Sequence, residues 1–253
     1  MPPSPKSVAI MQPYFFPYLG YFQLMRAVDC FIIYDDVCYI KNGWINRNRI
    51  LINEKSTYIT APLQKSSPNK RICDIGLVQS SIWRDKLVKM IEINYRKSPY
   101  FSEVYPIIKK IIYKDVLNLS NFLSEHLMLL AEFMGIDSEF VLTSRCYGNQ
   151  HLSAKERVLD ICKKEGASLY INSQGGQALY DADLFRSHDI DLRFIVTRPI
   201  PYKQKKGGFV PYLSIIDVLM AVGPVEIKRH IDAFDLTLGR QNEQLVKFGH
   251  QEI

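Results

Sequence analysis

The sequence predicts an α/β protein with a mostly parallel, Rossmann-like sheet, a helical insertion and a short antiparallel excursion. Three observations support this prediction. Apolar runs at residues 8–11 and 30–34 are typical of buried strands and flank an amphipathic stretch. Strand-like segments alternate with helical periodicity after residue 135. Between residues 80 and 135 the apolar spacing is helical throughout, which indicates the insertion.

The elements can be placed in order along the chain. After the first strand, helix and second strand, short strands are predicted at 57–60 and 75–78, and they form the antiparallel excursion. Three helices fill residues 80–135, the last ending at Gly135 as a C-cap. A strand at 140–142 follows. Ser153 and Glu156 form a capping box that opens a helix to Lys164, which Gly166 closes.

The rest of the chain continues the same alternation. It predicts a strand at 169–171, a helix at 181–188 and a strand at 192–196. Ser214 is predicted to cap a final pair of helices around Gly223-Pro224. With 253 residues and 47% hydrophobic content, the chain can bury a large core. We therefore expect one α/β domain over residues 1–253, with the helical insertion at 80–135.

Composition narrows the functional classes. No apolar run is long enough to cross a membrane, and the N-terminus lacks the apolar core of a signal peptide, so we predict a cytoplasmic protein without membrane insertion. The net charge of +6 suits an anionic ligand but is spread along the chain, and no nucleic-acid partner is expected. The five cysteines and five histidines show no metal-ligand spacing, so no metal site is predicted.

Polar residues follow the predicted strands, at the edge where a parallel sheet binds ligands. The first turn carries Gln12, Tyr14 and Tyr21, and it forms either a wall for a stacked ring or a buried turn. Asp35 and Asp36 follow the second strand as candidates for a general base or Mg²⁺ ligands, with backbone hydrogen bonding in a loop as the alternative. Because strand neighbours point to opposite faces, only one aspartate is expected to face a site.

A second group of polar residues suits an anionic ligand. Asn46, Arg47, Asn48 and Arg49 combine amides with guanidiniums, a composition suited to pyrophosphate or carboxylate recognition. The alternative is a solvated charged segment, against which Trp44 and Ile45 argue. Ser173 and Gln174 precede a Gly-Gly pair between a strand and a helix. There, free N–H groups hold a phosphate, or the glycines simply reverse the chain.

The remaining candidates lie in loops. Tyr202 and Gln204 open a basic segment at 202–208 that either closes over an anionic ligand or is a surface loop. His151 precedes a predicted helix and is the histidine best placed to act as a general base, whereas His126 falls on a helical face and is expected to be structural. Cys38 lies near the two aspartates, but nothing in the sequence indicates a reactive thiol.

Taken together, these residues resemble the WbqC-like family, which is found among genes for bacterial surface polysaccharides such as O-antigen. The resemblance spans nearly the whole chain. It rests on the following residues: Gln12-Pro13-Tyr14, Pro17, Gly20-Tyr21, Asp29, Asp35-Asp36, Trp44, Asn46-Arg47, Pro62, Trp83, Tyr95, Tyr202, Gln204, Pro211, Leu213-Ser214, Asp217 and Gly223.

The resemblance implies an enzyme that attaches an acyl or aminoacyl group to the amine of a nucleotide-linked amino sugar. The donor would be an acyl or aminoacyl thioester, with an acyl carrier protein as a candidate partner. On this hypothesis a carboxylate or His151 is the base, with Asp36 favoured over Asp35, and Asn46 or Gln12 donates a hydrogen bond to the developing oxyanion.

Two other functions stay open at this point. The opening turn and the Gly175-Gly176 pair also suit an enzyme that activates a carboxylate with ATP, although the turn lacks the histidines of a nucleotidyltransferase. The aromatic residues of the same turn suit a non-catalytic protein that binds a glycan or a partner of the pathway.

Overall fold

Strands and helices alternate along most of the chain in the computed structural model, which describes residues 6–198, 200–204 and 208–238. The strands are β1 (Lys6–Met11), β2 (Cys30–Ile33), β3 (Arg47–Ile52), β4 (Lys55–Thr60), β5 (Leu63–Gln64), β6 (Gly76–Leu77), β7 (Glu139–Val141), β8 (Ala167–Ser173), β9 (Asp191–Thr197) and β10 (Phe234–Thr237). The helices are α1 (Leu19–Arg26), α2 (Ser81–Tyr95), α3 (Phe101–Ile112), α4 (Leu119–Met134), α5 (Ala154–Lys164), α6 (Ala182–Arg186) and α7 (Ile215–Ile231).

Six of these strands form one central sheet in the order β10-β9-β8-β1-β2-β7. Every neighbouring pair in it is parallel except β9 with β10. Two small antiparallel pairs, β3 with β4 and β5 with β6, stand apart from this sheet. The mixed α/β fold with a mostly parallel sheet and an antiparallel excursion is confirmed.

The sheet is buried on both faces because its side chains alternate between two apolar clusters. Ala9 and Phe31 point into the larger cluster, which they share with α1, α4 and α7. Val8 and Ile32 point into the smaller one, formed with α5 and α6. Strands that are apolar at every position need burial on both faces of the sheet, and helices cover both faces here.

The short-range signals in the sequence form the predicted local structures. Ser153 and Glu156 make both hydrogen bonds of the capping box at the start of α5. Gly135 ends α4 with φ +70°, and Ser214 caps α7 by accepting from the Ile216 N–H. The predicted pair of final helices is also confirmed, since Gly223 interrupts α7 with non-helical angles.

Three strands were missed: β3, the two-residue β5 and β10. The predicted strands 57–60 and 75–78 correspond to β4 and β6, and they pair with β3 and β5. Residues 47–52 were treated only as a polar ligand-binding segment, whereas they form β3 and pair with β4 through a two-residue turn. The turn residues Asn53 and Glu54 both have positive φ, at 48° and 65°, as hairpin turns of this length require. The missed strand β10 forms the antiparallel edge of the central sheet.

Within the described part of the chain, none of the helices has the length and apolarity needed to cross a membrane. The same residues contain no group of histidine, cysteine and acidic side chains able to hold a metal ion. His126 is buried in the core and accepts a hydrogen bond from the Phe16 N–H at 3.1 Å, and burial lowers its pKa to about 3. His250 and residues 205–207 of the predicted basic segment lie outside the described residues.

Candidate functional site

The carboxyl edge of the parallel strands collects many of the predicted site residues. Strand order reverses between β1 and β8, so the loops after these two strands lead to helices on opposite faces and leave a crevice between them. Gln12 follows β1, and Ser173 ends β8, with Gln174 next. Gln12 and Ser173 are half-buried and Gln174 is exposed. This topological switch point is where a doubly wound sheet binds its ligand.

Asp35 lies fully buried behind this edge and ties three segments together. Its carboxylate accepts hydrogen bonds from the hydroxyls of Ser120 at 2.7 Å and Thr143 at 2.8 Å, and from the Ser144 N–H at 3.1 Å. The Arg145 guanidinium lies 3.8 Å away. These contacts join the end of β2 to α4 and to the loop after β7.

Asp36 points to the opposite side and forms a buried ion pair with Arg157 of α5, with 2.6 Å between the charged atoms. It also accepts from the Ser144 hydroxyl and from the Gln150 amide at 2.9 Å. Burial raises the pKa of the Asp36 carboxyl, but these hydrogen bonds and the Arg157 charge outweigh it and hold the pKa below its usual range. A carboxylate so stabilised is a weak proton acceptor at neutral pH.

Arg157 is itself fixed on several sides. Its Nε donates to the Asn149 side-chain oxygen at 3.1 Å, and its guanidinium lies 4.9 Å from the centre of the Tyr34 ring. Sequence reasoning missed this residue. Its signal was weak, because an arginine on an amphipathic helix normally faces solvent.

Asn46, a predicted oxyanion donor, has hydrogen-bond partners at both ends of its amide. Its side-chain oxygen accepts from the Tyr39 hydroxyl at 2.8 Å, and its nitrogen donates to the Ala61 carbonyl at 2.9 Å. The neighbouring Asn48 donates to the Phe15 and Phe16 carbonyls at 3.2 and 2.9 Å. Asn48 thus fixes the β3–β4 hairpin to the turn after β1, so the hairpin borders the carboxyl edge, whereas Asn46 joins the segments around Tyr39 and Ala61.

The outer face of this hairpin carries four side chains that we call the arginine–aromatic face: Trp44, Arg47, Arg49 and Tyr58. The Trp44 and Tyr58 rings stack at 6.3 Å between centres. The Arg47 guanidinium lies 4.4 Å from the centre of the Tyr58 ring, and that of Arg49 lies 5.3 Å from the Trp44 ring. Cations and flat rings therefore alternate along one surface.

The two arginines of this face have no carboxylate partner among the described residues. Arg47 donates to the backbone carbonyls of Asn42 and Gly43, the latter at 3.2 Å. The Nε atom of Arg49 is buried and makes no hydrogen bond. An uncompensated pair of guanidiniums is suited to bind an anion. Arg49 was predicted as part of the polar segment 46–49. Tyr58 lay in a predicted strand but was not expected to face Arg47, because β3 was missed.

Residues 174–176 form a short 3₁₀ turn after β8, and α6 begins only at Ala182. The Asp181 side chain caps that helix by accepting from the Asp183 N–H at 2.9 Å. The glycine pair therefore lies between a strand and a helix, as predicted, but does not itself open that helix, and the phosphate contact stays a prediction. A Cβ on Gly176 would lie 2.6 Å from the Asn172 amide nitrogen, which explains why this position needs glycine.

Tyr202 and Gln204 belong to a network centred on the buried Asp217 at the start of α7. The Tyr202 hydroxyl donates to this carboxylate at 2.9 Å, and the Tyr95 hydroxyl does so at 2.8 Å. Gln204 donates to the Tyr202 hydroxyl at 3.0 Å and exchanges two hydrogen bonds of 2.8 Å with the Val210 backbone. Tyr202 and Gln204, both predicted to contact a ligand, thus hold the backbone around Val210 in place in this structure.

The other predicted residues differ in their accessibility. Tyr21 is buried, and its hydroxyl donates to the Gln12 carbonyl at 2.8 Å, so it supports the turn from inside. The Tyr14 ring is half-buried, 5.4 Å from that of Tyr21. His151 is exposed at the bend that precedes α5. The functional roles assigned to all these residues stay predictions.

The sheet order and its polar carboxyl edge define a doubly wound α/β protein of the kind that binds ligands at a topological switch point. The chain belongs to the WbqC-like protein family, which matches residues 12–229. It is 31% identical over 221 residues to an uncharacterized protein of Mycobacterium tuberculosis, Rv1507c, and the alignment covers 86% of this chain and 94% of that relative. No solved structure matches the chain.

Proposed function

We propose that the protein is a transferase that attaches an acyl or aminoacyl group to the amine of a nucleotide-linked amino sugar in surface-polysaccharide synthesis. The observation that carries the proposal is the arginine–aromatic face beside the carboxyl edge of the sheet. Its rings suit a nucleobase, and Arg47 and Arg49 suit a diphosphate because no described carboxylate neutralises them.

The reaction needs an acceptor amine without its extra proton. The amine nitrogen attacks the carbonyl carbon of the thioester, the C–N bond forms and the C–S bond breaks. The thiolate that leaves takes up a proton, and the nitrogen gives its proton to a base. Of the candidate bases, His151 is exposed, whereas Asp36 is held in its ion pair with Arg157. Gln12, half-buried at the switch point, is the remaining candidate for the oxyanion donor.

Arg49→Gln is expected to weaken the binding of dTDP by about tenfold or more, since a charged hydrogen bond to a phosphate is lost. The measurement is a calorimetric titration of the full chain. Arg186→Gln is the matched control, because Arg186 is an exposed arginine that pairs with Asp183 on α6. Equal affinities for wild type and Arg49→Gln would remove the main support for a diphosphate at this face.

Catalysis is tested separately from binding. The purified protein is incubated with a dTDP-linked amino sugar and a panel of acyl and aminoacyl thioesters, and amide formation is followed by mass spectrometry. We expect an amide product that His151→Ala reduces and Lys155→Ala, an exposed neighbour in α5, does not. Binding of the nucleotide sugar without product from any donor would instead favour a non-catalytic binding protein.

A further inference from the structure

The loop over residues 208–212 presents two large rings to solvent. The Phe209 side chain is 49% exposed and that of Tyr212 is 61% exposed. A single exposed aromatic residue is ordinary on a protein surface. Two exposed aromatic rings on one short loop beside the arginine–aromatic face suit ligand binding, provided that the loop is held in place.

Partly buried polar contacts hold this loop. Gln204 makes two hydrogen bonds of 2.8 Å with the Val210 backbone, one in each direction. Behind it, the Tyr202 hydroxyl is fixed on Asp217, and its ring meets Phe209 edge to face at 5.3 Å. On the other side of the loop, the Ser214 N–H donates to the Arg49 carbonyl at 2.8 Å. Because these contacts hold the loop without a ligand, ordering the loop adds little to the free-energy cost of binding.

Tyr212 has a backbone conformation that tyrosine rarely adopts. Its φ is +55°, in the left-handed region where glycine or asparagine is the usual residue. The tyrosine ring meets that of Tyr18 edge to face at 6.1 Å and otherwise faces outward. A bulky residue kept in a strained, exposed position indicates a role for its side chain other than stability.

The position of the loop links it to the candidate site. Tyr18 packs so closely on α1 that a Cβ on Gly20 would lie 2.5 Å from its ring and 3.1 Å from the Thr197 hydroxyl oxygen, at the carboxyl end of β9. The bond from Ser214 to Arg49 joins the same loop to the arginine–aromatic face. The Tyr212 ring is therefore linked through Tyr18 to the carboxyl end of β9, and the loop backbone is linked through Ser214 to β3.

We propose that Phe209 and Tyr212 form a stacking subsite for the sugar ring of the ligand, an inference that rests on the proposed function. No described arginine or lysine stacks on either ring, in contrast to Trp44 and Tyr58. Uncharged ring faces suit the apolar C–H face of a pyranose, which has no charge to pair. The arginine–aromatic face would hold the nucleotide, and the loop would select the sugar.

Saturation-transfer NMR on the full chain tests the subsite with methyl glycosides of amino sugars at millimolar concentration. In Tyr212→Ala we expect the affinity for the glycoside to fall roughly fivefold. Tyr212→Phe should keep it, and Tyr113→Ala, at an exposed tyrosine after α3, should not change it. Tyr212→Gly should lose the glycoside and yet unfold at a higher temperature, because glycine accepts the positive φ without strain.

Two results would overturn the subsite: equal saturation transfer in wild type and Tyr212→Ala, or no transfer from any glycoside of the panel. A parallel titration with dTDP keeps the two proposals apart. If dTDP fails to bind wild type while the glycosides bind through Tyr212, the nucleotide part of the proposed function fails and the subsite stands. If dTDP binds and the glycosides do not, the subsite alone fails.

Discussion

Asp36→Asn should lower the free energy of unfolding by about 3 to 5 kcal/mol, because it leaves the guanidinium of Arg157 buried without its counter-charge. Both side chains of the pair are buried, and their charged atoms are 2.6 Å apart. Urea unfolding at pH 7 measures the change. The control is Asp183→Asn, which breaks the exposed pair with Arg186 and should have little effect.

The effect of Asp36→Asn should also depend on pH. The folded-state pKa of Asp36 lies below its usual value near 3.8, so the stability that its charge contributes is fully present above that value. This contribution is lost as the pH falls through the folded-state pKa. The gap between wild type and variant should therefore be widest at neutral pH and narrow below pH ~4. A gap that stays constant down to low pH would contradict the ion-pair explanation.

A double variant separates the loss of a pair from the burial of an unpaired charge. The double variant Asp36→Asn with Arg157→Met should lose less free energy of unfolding than the two single variants together. The reason is that Arg157→Met removes the charge that Asp36→Asn alone leaves buried without a partner. Additive costs would mean that the two side chains do not act on each other, despite their contact.

Gly223→Ala is the second change with a large expected effect, a loss of roughly 3 kcal/mol or more in the free energy of unfolding. Gly223 has φ 72° and ψ −178°, a combination open almost only to glycine. A Cβ there would also lie 2.3 Å from the Tyr100 ring, which packs on the kink of α7. Thermal and urea unfolding measure the loss.

Gly148→Ala is the matched control for this substitution. Gly148 has φ +64°, but a side-chain Cβ at this position would meet no atom within 4 Å, so only the backbone cost of about 1 to 2 kcal/mol is expected. In a Tyr100→Ala background, the steric part of the Gly223→Ala effect should disappear. If Gly223→Ala costs no more than Gly148→Ala in the wild-type background, the close contact with Tyr100 has no energetic weight.

The sequence predicted those parts of the fold that depend on neighbouring residues. The strand, helix and strand at the start, the capping box at Ser153 and the C-cap at Gly135 each follow from a few adjacent positions. β3 was missed because Arg47, Asn48 and Arg49 resemble a solvated segment in composition. The alternation of Ile50 and Ile52 after them and the Asn53-Glu54 turn were the available signals.

The site could be predicted only in part for a different reason. Residue type identified Asp36, but its partner Arg157 is 121 positions away, so the ion pair and its effect on the pKa depend on tertiary structure. The same holds for Asn46, whose amide is shared between Tyr39 and Ala61. Arg47 and Trp44, in contrast, were named as candidates from composition, and the face they form comes from neighbouring residues between 44 and 58.

Ser214 has a consequence for the order in which the chain becomes structured. Its hydroxyl donates to the Phe16 carbonyl at 2.8 Å, and its N–H donates to the Arg49 carbonyl. Ser214 therefore joins the turn after β1 to the hairpin. These contacts span long sequence separations and cannot form until the ribosome has released the segment around residue 214. The nascent protein would therefore join the turn after β1 to the hairpin only after residue 214 has emerged, well after both segments have been made.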